Sequence, residues 1–160
     1  MEILIIEDEE NLSKAMEISL RKEKNSVYLS KNRKEALEIL KEKNIFLIFL
    51  DYKLPDSNGI EILKEIKESY PETEVILMTA YGTIEMAVEA MKNGAIDFIK
   101  KPFSPEDLFL RLDIFKSSKF FSKREKFNEI VTENKEMIRI LDEAKKVSST
   151  KATILIRGES

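Results

Sequence analysis

The sequence predicts a doubly wound α/β domain, in which helices cover both faces of a five-stranded parallel sheet. Five short apolar runs alternate with amphipathic stretches over about the first 115 residues. Two of the runs, at 3–6 and 45–50, are apolar without alternation, which is typical of strands covered on both faces. A strict alternation of strand and helix predicts a parallel sheet with right-handed crossovers.

Each apolar run is short enough to form one strand. The five predicted strands lie at 3–6, 27–29, 45–50, 75–78 and 98–99.

Between these runs, apolar residues recur at the spacing of an amphipathic helix. The four sets are Leu12, Ala15, Met16 and Leu20; Ala36, Leu37 and Leu40; Ile60, Leu63 and Ile66; and Ile84, Ala87, Val88 and Met91. Asn32 with Glu35 resembles a capping box at the start of the second helix, and Gly94 suits the end of the fourth.

The composition excludes several classes of chemistry. The 160 residues include no cysteine and no histidine, which rules out disulfides and thiolate or imidazole catalysis by this chain and makes a zinc site improbable. A formal net charge of −3 gives no global attraction to nucleic acid. With neither a membrane-spanning run nor a signal peptide, the sequence predicts a cytoplasmic location and no membrane contact.

Chemically active residues follow the ends of the predicted strands, where an open α/β sheet binds its ligands. Glu7 and Asp8 follow the first strand, Asp51 ends the third, Thr79 ends the fourth, and Lys101 comes after the fifth. Acids gathered at one edge repel one another unless a cation joins them, and Mg²⁺ suits carboxylate ligands.

Asp51 can act as a nucleophile, because a carboxylate can attack phosphorus and form an aspartyl phosphate. Such a transfer needs positioning and charge neutralisation, which Mg²⁺, Lys101 and the Thr79 hydroxyl can supply to the three phosphoryl oxygens.

Four separated motifs together resemble the receiver domains of two-component response regulators. They are IEDE at 6–9, LDYKLPDSNG at 50–59, MTA at 78–80 and DFIKKPF at 97–103. The resemblance covers residues 1–115 and implies the flavodoxin-like receiver fold.

The resemblance also implies a role for each site residue. Asp51 is the phosphoacceptor, and the Mg²⁺ ligands are Asp8 directly, Glu7 through water, Asp51 itself and the main-chain carbonyl of Lys53. Lys101 binds the phosphoryl group, and its bond to Pro102 is expected to be cis. Lys100 should point to the opposite face.

Thr79 and Phe98 match the family's switch pair, in which the hydroxyl closes on the phosphoryl group and the ring turns inward. Phe98 lacks a tyrosine hydroxyl and could switch by packing only; plain core packing is the alternative. Glu7 replaces the commoner aspartate, which should shift the metal geometry slightly.

The tail resembles part of another domain. NKEM at 134–137 and ATILIRGES at 152–160 resemble the start of the AAA+ domain in NtrC-type activators of sigma-54 RNA polymerase. The expected organisation is a receiver at 1–115, a helical linker at 116–128 and a truncated AAA+ fragment at 129–160, which lacks the rest of the phosphate-binding loop and should not bind ATP.

A homodimer is expected through the last receiver helix and the linker, since Leu108, Leu112 and Phe115 could form a short paired seam. Contacts with sigma-54 RNA polymerase and DNA would belong to parts outside this chain.

The resemblance therefore implies a phosphoacceptor that a histidine kinase phosphorylates with Mg²⁺, regulating a sigma-54-dependent activator whose full-length form is an AAA+ ATPase. The receiver is no enzyme beyond weak self-phosphorylation and self-dephosphorylation. Two alternatives remain: an aspartate-nucleophile phosphatase, which usually carries an acid where this chain has Lys53, and a degenerate receiver that only dimerises.

Overall fold

A computed structural model of the protein describes residues 1–80 and 82–123, with side chains as far as residue 116. The chain divides into two compact units, Met1–Ile114 and Phe115–Ser160, and the first contains the whole sheet.

The first unit is built from alternating strands and helices. In chain order these are β1 (Glu2–Ile6), α1 (Glu10–Lys22), β2 (Ser26–Ser30), α2 (Arg33–Glu42), β3 (Leu47–Asp51), α3 (Gly59–Ser69), β4 (Glu74–Thr79), α4 (Ile84–Lys92), β5 (Asp97–Lys100) and α5 (Pro105–Lys123). All strand pairs are parallel and the order is β2-β1-β3-β4-β5. The predicted doubly wound fold is confirmed, and β1 and β3 flank the switch point of strand order.

The central strands are buried on both faces. All five residues of β3 and the last four of β1 are buried, as the apolar runs without alternation predicted. In the register, Ile6 lies beside Leu50, so β1 and β3 end together at one edge of the sheet. Glu7, which follows Ile6, and Asp51, which follows Leu50 as the last residue of β3, are therefore neighbours.

Capping residues fix where the helices begin. The Asn32 side chain accepts a hydrogen bond from the Glu35 N–H at 2.9 Å, as the predicted capping box requires. Its reciprocal half differs, because the Glu35 carboxylate accepts from the Lys31 N–H instead of that of Asn32. Gly94 has a φ of 95° just after α4, which is the left-handed conformation expected at a helix end.

Helix α4 departs from the pattern of the other helices. Ile84, Val88 and Met91 are 80%, 45% and 50% exposed, so most of its apolar stripe faces away from the sheet. Ala90 is the one residue of α4 that is buried. The helix was predicted correctly, but the spacing of its apolar residues did not indicate that they face solvent.

The last described helix corrects one prediction. Leu108, Leu112 and Phe115 are buried within the chain and cannot form a seam between two chains. Leu110 and Ile114 are instead 55% and 57% exposed. Apart from the end of α5, the predicted linker at 116–128 and the predicted AAA+ fragment at 129–160 lie outside the described residues. Among the described helices, none is long and apolar enough to cross a membrane.

Candidate functional site

Three carboxylates meet at the edge of the sheet where β1 and β3 end. One oxygen each from Glu7, Asp8 and Asp51 lies within 4.8 Å of the others. Asp8 is exposed, while Glu7 and Asp51 are buried. The structure thus brings together the three acids that the sequence placed there.

Asp51 is held in place on both of its carboxylate oxygens. Its Oδ1 accepts a hydrogen bond from the Lys53 N–H at 3.3 Å, and its Oδ2 accepts one from Lys101 Nζ at 2.7 Å. Its main chain is fixed as the last residue of β3, beside Met78 of β4. The nucleophile proposed from the sequence is therefore oriented by its neighbours.

Lys101 bridges two of the acids. Its Nζ lies 2.5 Å from Glu7 Oε2 and 2.7 Å from Asp51 Oδ2. Its N–H donates to the Thr79 carbonyl at 2.7 Å, and its bond to Pro102 is cis, as expected. Burial lowers the pKa of the Lys101 ammonium, but the hydrogen bonds to the two carboxylates outweigh burial and raise it overall, so the group stays charged.

The ionised form of Glu7 is unfavourable at this edge of the sheet. Burial, together with the charge of Asp51, raises the pKa of its carboxyl to about 7 although Lys101 acts in the opposite direction. Its Oε1 accepts a hydrogen bond from the Glu9 N–H at 3.2 Å. Ionisation of Glu7 is therefore unfavourable here unless a further positive charge joins Lys101.

The loop after Asp51 is closed by a short antiparallel bridge between Lys53 and Asn58. Its two hydrogen bonds run from Gly59 N–H to the Tyr52 carbonyl at 2.7 Å and from Leu54 N–H to the Ser57 carbonyl at 3.2 Å. Neither uses the Lys53 carbonyl, the predicted metal ligand.

Gly59 is essential to this closure. A Cβ there would lie 2.5 Å from the Asp51 carbonyl oxygen and 2.7 Å from the Tyr52 Cα. Only glycine therefore allows α3 to begin this close to the end of β3.

The predicted switch pair lies on β4 and β5. Thr79 is buried at the end of β4, and Phe98 is partly buried against the core. A Cβ on Gly82 would lie 3.3 Å from Phe98 Cζ, so Gly82 lies close to the tip of the ring. Lys100 is exposed, and its stem covers Gly82 while Lys101 turns into the site.

A cavity of about 300 Å³ opens in front of Asp51. Its lining residues are Asp8, Asp51, Lys53, Leu54, Pro55, Thr79, Ala80 and Lys101. A second cavity, of about 540 Å³, shares Ala80 and Lys101 with the first and extends toward α1. The nucleophile, the hydroxyl and the lysine of the sequence-based site thus face one space.

The donor set fits Mg²⁺. Carboxylate and main-chain carbonyl oxygens are the ligands that this hard cation prefers, and it usually takes one or two carboxylates and keeps several waters. The close approach of the three carboxyl groups favours a cation between them.

Some of these features were missed from the sequence. The direct contact of Lys101 with Glu7 joins residues 94 apart in the chain, and no spacing rule indicates it. The close approach of Gly59 could have been suspected from Asn58-Gly59 at a strand-to-helix turn. The cavity beside α1 had no signal in the sequence.

Comparison with known proteins identifies the family. The model of the response regulator receiver domain matches residues 3–113. The regulatory protein AtoC of Escherichia coli K12 is 30% identical over 169 aligned positions, covering 99% of this chain, and the transcriptional regulatory protein ZraR of Klebsiella oxytoca is 33% identical over 167, covering all of it. The chain spans only 37% and 38% of the lengths of these two proteins.

Solved structures agree. The beryllofluoride-activated NtrC4 receiver domain dimer is similar with a TM-score of 0.68 and 33% identity, covering 71% of this chain and 94% of that one. The receiver domain of NtrX from Brucella abortus gives 0.67 and 33%, covering 71% and 96%. The resemblance to NtrC-type receivers is confirmed, and the chain belongs to the response regulator receiver domain family.

Proposed function

We propose that this chain is the phosphoacceptor of a cytoplasmic two-component system, phosphorylated on Asp51 by a histidine kinase in a Mg²⁺-dependent reaction. One observation carries the proposal: the oriented Asp51 carboxylate faces a cavity together with Lys101, Thr79 and a second acid, Asp8. Mg²⁺ when bound supplies positive charge for the phosphoryl oxygens.

The covalent step transfers one phosphoryl group. An Asp51 oxygen forms a bond to phosphorus while the bond from phosphorus to the donor nitrogen of a phosphohistidine breaks, and the electron pair leaves with the imidazole. Lys101 is close enough to Asp51 to neutralise a phosphoryl oxygen, and Thr79 faces the same cavity as a hydroxyl donor. Attack of water on the acyl phosphate reverses the modification, which accounts for weak self-dephosphorylation.

The two alternatives are less well supported. An aspartate-nucleophile phosphatase needs an acid to protonate the leaving group, and the residue two positions after Asp51 is the exposed Lys53. A degenerate receiver would have lost groups of the site, whereas Glu7, Asp8 and Asp51 lie together and Lys101 contacts two of them.

The kinase would dock beside the second cavity. Leu12, Pro102 and Phe103 line this cavity, and α1 continues from it with the exposed apolar residues Ala15 and Ile18. Ile18 is 61% exposed. A helix that carries a phosphohistidine could lie on this surface and reach Asp51 past Ala80 and Lys101, which line both cavities.

The proposed downstream function rests on the tail, whose sequence at 134–137 and 152–160 resembles the start of the AAA+ domain in sigma-54-dependent activators. The chain spans 37% and 38% of the lengths of AtoC and ZraR, and we propose that phosphorylation controls the remainder of such an activator, with an AAA+ ATPase and DNA-binding parts. A homodimer through α5 would use its exposed residues Leu110 and Ile114.

Labelling with acetyl phosphate tests the phosphoacceptor. With Mg²⁺, mass spectrometry of the intact chain should show one added phosphoryl group, and chelation of the cation should abolish it. The variant Asp51→Asn should lose the label. Asp56→Asn removes an exposed acid from the same loop and serves as the matched control, which should keep it. Full labelling of Asp51→Asn would disprove the assignment.

Docking is tested by comparing two donors. Ile18→Glu should slow transfer from a phosphorylated histidine kinase several-fold relative to labelling by acetyl phosphate, because only the kinase needs the surface of α1. Ile84→Glu, which alters an exposed apolar residue of α4, is the matched control. An equal effect of Ile18→Glu with both donors would exclude α1 as the docking surface.

A further inference from the structure

We propose that Asn93, the residue that caps the end of α4, is a site of spontaneous deamidation, and that the fold protects Asn58 from the same reaction. The sequence contains two Asn-Gly pairs, Asn58-Gly59 and Asn93-Gly94. Asparagine is a thermolabile residue, and a following glycine has no Cβ to hinder the main chain from bending back onto the side chain. The reaction is independent of the phosphoryl chemistry proposed for Asp51.

The modification uses the asparagine side chain and the main chain of the next residue. The amide nitrogen of Gly94 attacks Cγ of Asn93, a cyclic imide closes, and the bond from Cγ to Nδ2 breaks. The leaving Nδ2 takes up the proton of the Gly94 amide and departs as ammonia. Water then opens the ring at either carbonyl and leaves aspartate or isoaspartate. In isoaspartate, the main chain runs through the former side chain.

At Asn93, both reacting groups are held by the last turn of α4. The Gly94 N–H donates a hydrogen bond to the Met91 carbonyl at 3.1 Å, and Asn93 Nδ2 donates one to the Glu89 carbonyl at 2.7 Å. Hydrogen bonds of a terminal helical turn open more readily than those of a core element. Unwinding of this single turn therefore frees the attacking nitrogen and the leaving amide together.

The packing of α4 favours such unwinding. Ala90 is the one residue of α4 that is buried, and Met91 is 50% exposed. Asn93 and Gly94 are themselves partly exposed, so water reaches both. Opening of the last turn therefore exposes little further apolar surface.

At Asn58, the corresponding groups are tied to the sheet. The Gly59 N–H donates to the Tyr52 carbonyl at 2.7 Å, and Gly59 itself is buried. Asn58 Oδ1 accepts a hydrogen bond at 2.8 Å from the N–H of Ile60, which is also buried. Release of the Gly59 nitrogen would require the start of α3 to separate from the end of β3. The reaction should therefore be slow in the folded chain.

Exposure of the side chains alone predicts the opposite order. Asn58 is exposed, whereas Asn93 is only partly exposed. The hydrogen bond of the glycine N–H distinguishes the two pairs in the other direction, because that of Gly59 crosses to the end of β3 and that of Gly94 stays within α4. The relative rates therefore decide whether local unwinding or side-chain exposure controls the reaction.

Deamidation of Asn93 would loosen the end of α4. Its donor Nδ2 would be replaced by a carboxylate oxygen beside the Glu89 carbonyl, and a negative charge is unfavourable at the C-terminal end of a helix. The stem of Lys67 runs beside Gly94, but its ammonium group is already paired with Glu74 at 2.8 Å. The modification therefore adds an unfavourable charge to a helix that is weakly packed.

The test follows both asparagines in one sample. The full 160-residue chain is incubated at mildly alkaline pH, either folded or in urea, and is then digested at acid pH. Mass spectrometry detects the mass gain that accompanies replacement of the amide by a carboxylate. In the folded chain Asn93 should convert at least about fivefold faster than Asn58, and in urea the two rates should agree within about threefold.

Two variants complete the test. Asn93→Gln keeps an amide on a longer side chain that closes an imide ring far more slowly, so conversion at position 93 should disappear while that of Asn58 is unchanged. Asn93→Asp reproduces the charged product. Its amide hydrogen exchange should be several-fold faster than that of the wild type in α4 and unchanged in α3.

Three results would contradict the proposal. Asn58 converting as fast as Asn93 in the folded chain would overturn the assignment. Absence of conversion at Asn93 in the folded sample, with conversion in urea, would show that the fold protects both pairs. Equal hydrogen exchange of α4 in Asn93→Asp and the wild type would refute the loosening of the helix.

Discussion

Helices α3 and α4 have similar amphipathic sequences but are packed very differently. Helix α3 buries Ile60, Ile62, Leu63 and Ile66, whereas in α4 only Ala90 is buried. The apolar stripe of α4 that includes Ile84 and Val88 faces solvent. The chain thus holds one helix firmly in the core and leaves its neighbour in sequence loosely attached.

The difference corresponds to what each helix supports. Helix α3 begins at Gly59, whose N–H closes the loop that carries Asp51 and Lys53, so its position fixes the nucleophile. Helix α4 follows Gly82, which lies close to the tip of the Phe98 ring. We infer that α3 preserves the geometry of the site. Helix α4 can shift at a low cost in free energy when the state of the site changes.

The largest expected difference is in core packing. Leu63→Ala in α3 should lower the free energy of unfolding by about 2–5 kcal/mol, because it leaves a cavity under a fully buried side chain. Val88→Ala in α4 removes an exposed side chain and should change it by less than about 0.5 kcal/mol. Urea denaturation measures both, and equal losses would show that α4 is packed as firmly as α3.

The site that α3 supports also contains an unfavourable charge, the Glu7 carboxylate. This charge makes the stability of the fold depend on pH. The pKa of Glu7 is raised to about 7 in the folded chain, above the value of 4.5 expected when it is unfolded. The folded state therefore holds this proton more tightly, and stability falls as pH rises from about 4.5 to 7. Above about pH 7 the folded state carries the full free-energy cost of the ionised Glu7 carboxylate.

Glu7→Gln should remove this part of the pH dependence. Without Mg²⁺, the wild type should lose up to about 3 kcal/mol more than the variant between pH 4.5 and 8, since each pKa unit is worth about 1.4 kcal/mol. Urea denaturation of both proteins at several pH values gives the difference, in which the other titrating groups cancel. Parallel pH profiles would contradict a raised pKa at Glu7.

Substitutions of two glycines compare the rigidity of the chain at the start of α3 with its rigidity before α4. Gly59→Ala should cost about 1–3 kcal/mol or more, because the new Cβ would meet main-chain atoms of Asp51 and Tyr52 that cannot move aside. Gly82→Ala would meet the flexible stem of Lys100 and the ring of Phe98 at 3.1–3.3 Å and should cost less than Gly59→Ala. Thermal unfolding ranks the two variants, and the reverse order would refute the assignment of rigidity.

The sequence predicted the strands and acids of the site better than it predicted the packing of α4. Apolar runs at 3–6 and 45–50 specify β1 and β3, and parallel strands bring their following residues to one edge, so Glu7, Asp8 and Asp51 could be placed together. Spacing at 84, 87, 88 and 91 marks an apolar stripe on α4, but periodicity does not say whether a stripe faces the sheet or solvent. Periodicity also does not predict the pairing of Lys101 with Glu7, because the two residues are 94 positions apart in the chain.

A small effect is expected for the contact of α3 with α2. Arg33 of α2 makes a two-pronged ion pair with Glu65 of α3, at 2.7 and 2.9 Å, but the side chains are 49% and 32% exposed. Arg33→Ala should therefore cost less than about 1 kcal/mol, and a double-mutant cycle with Glu65→Ala isolates the pair. High salt should reduce the coupling energy. A coupling above about 2 kcal/mol would mean that this surface contact, and not the buried face of α3 alone, keeps the region of Asp51 rigid.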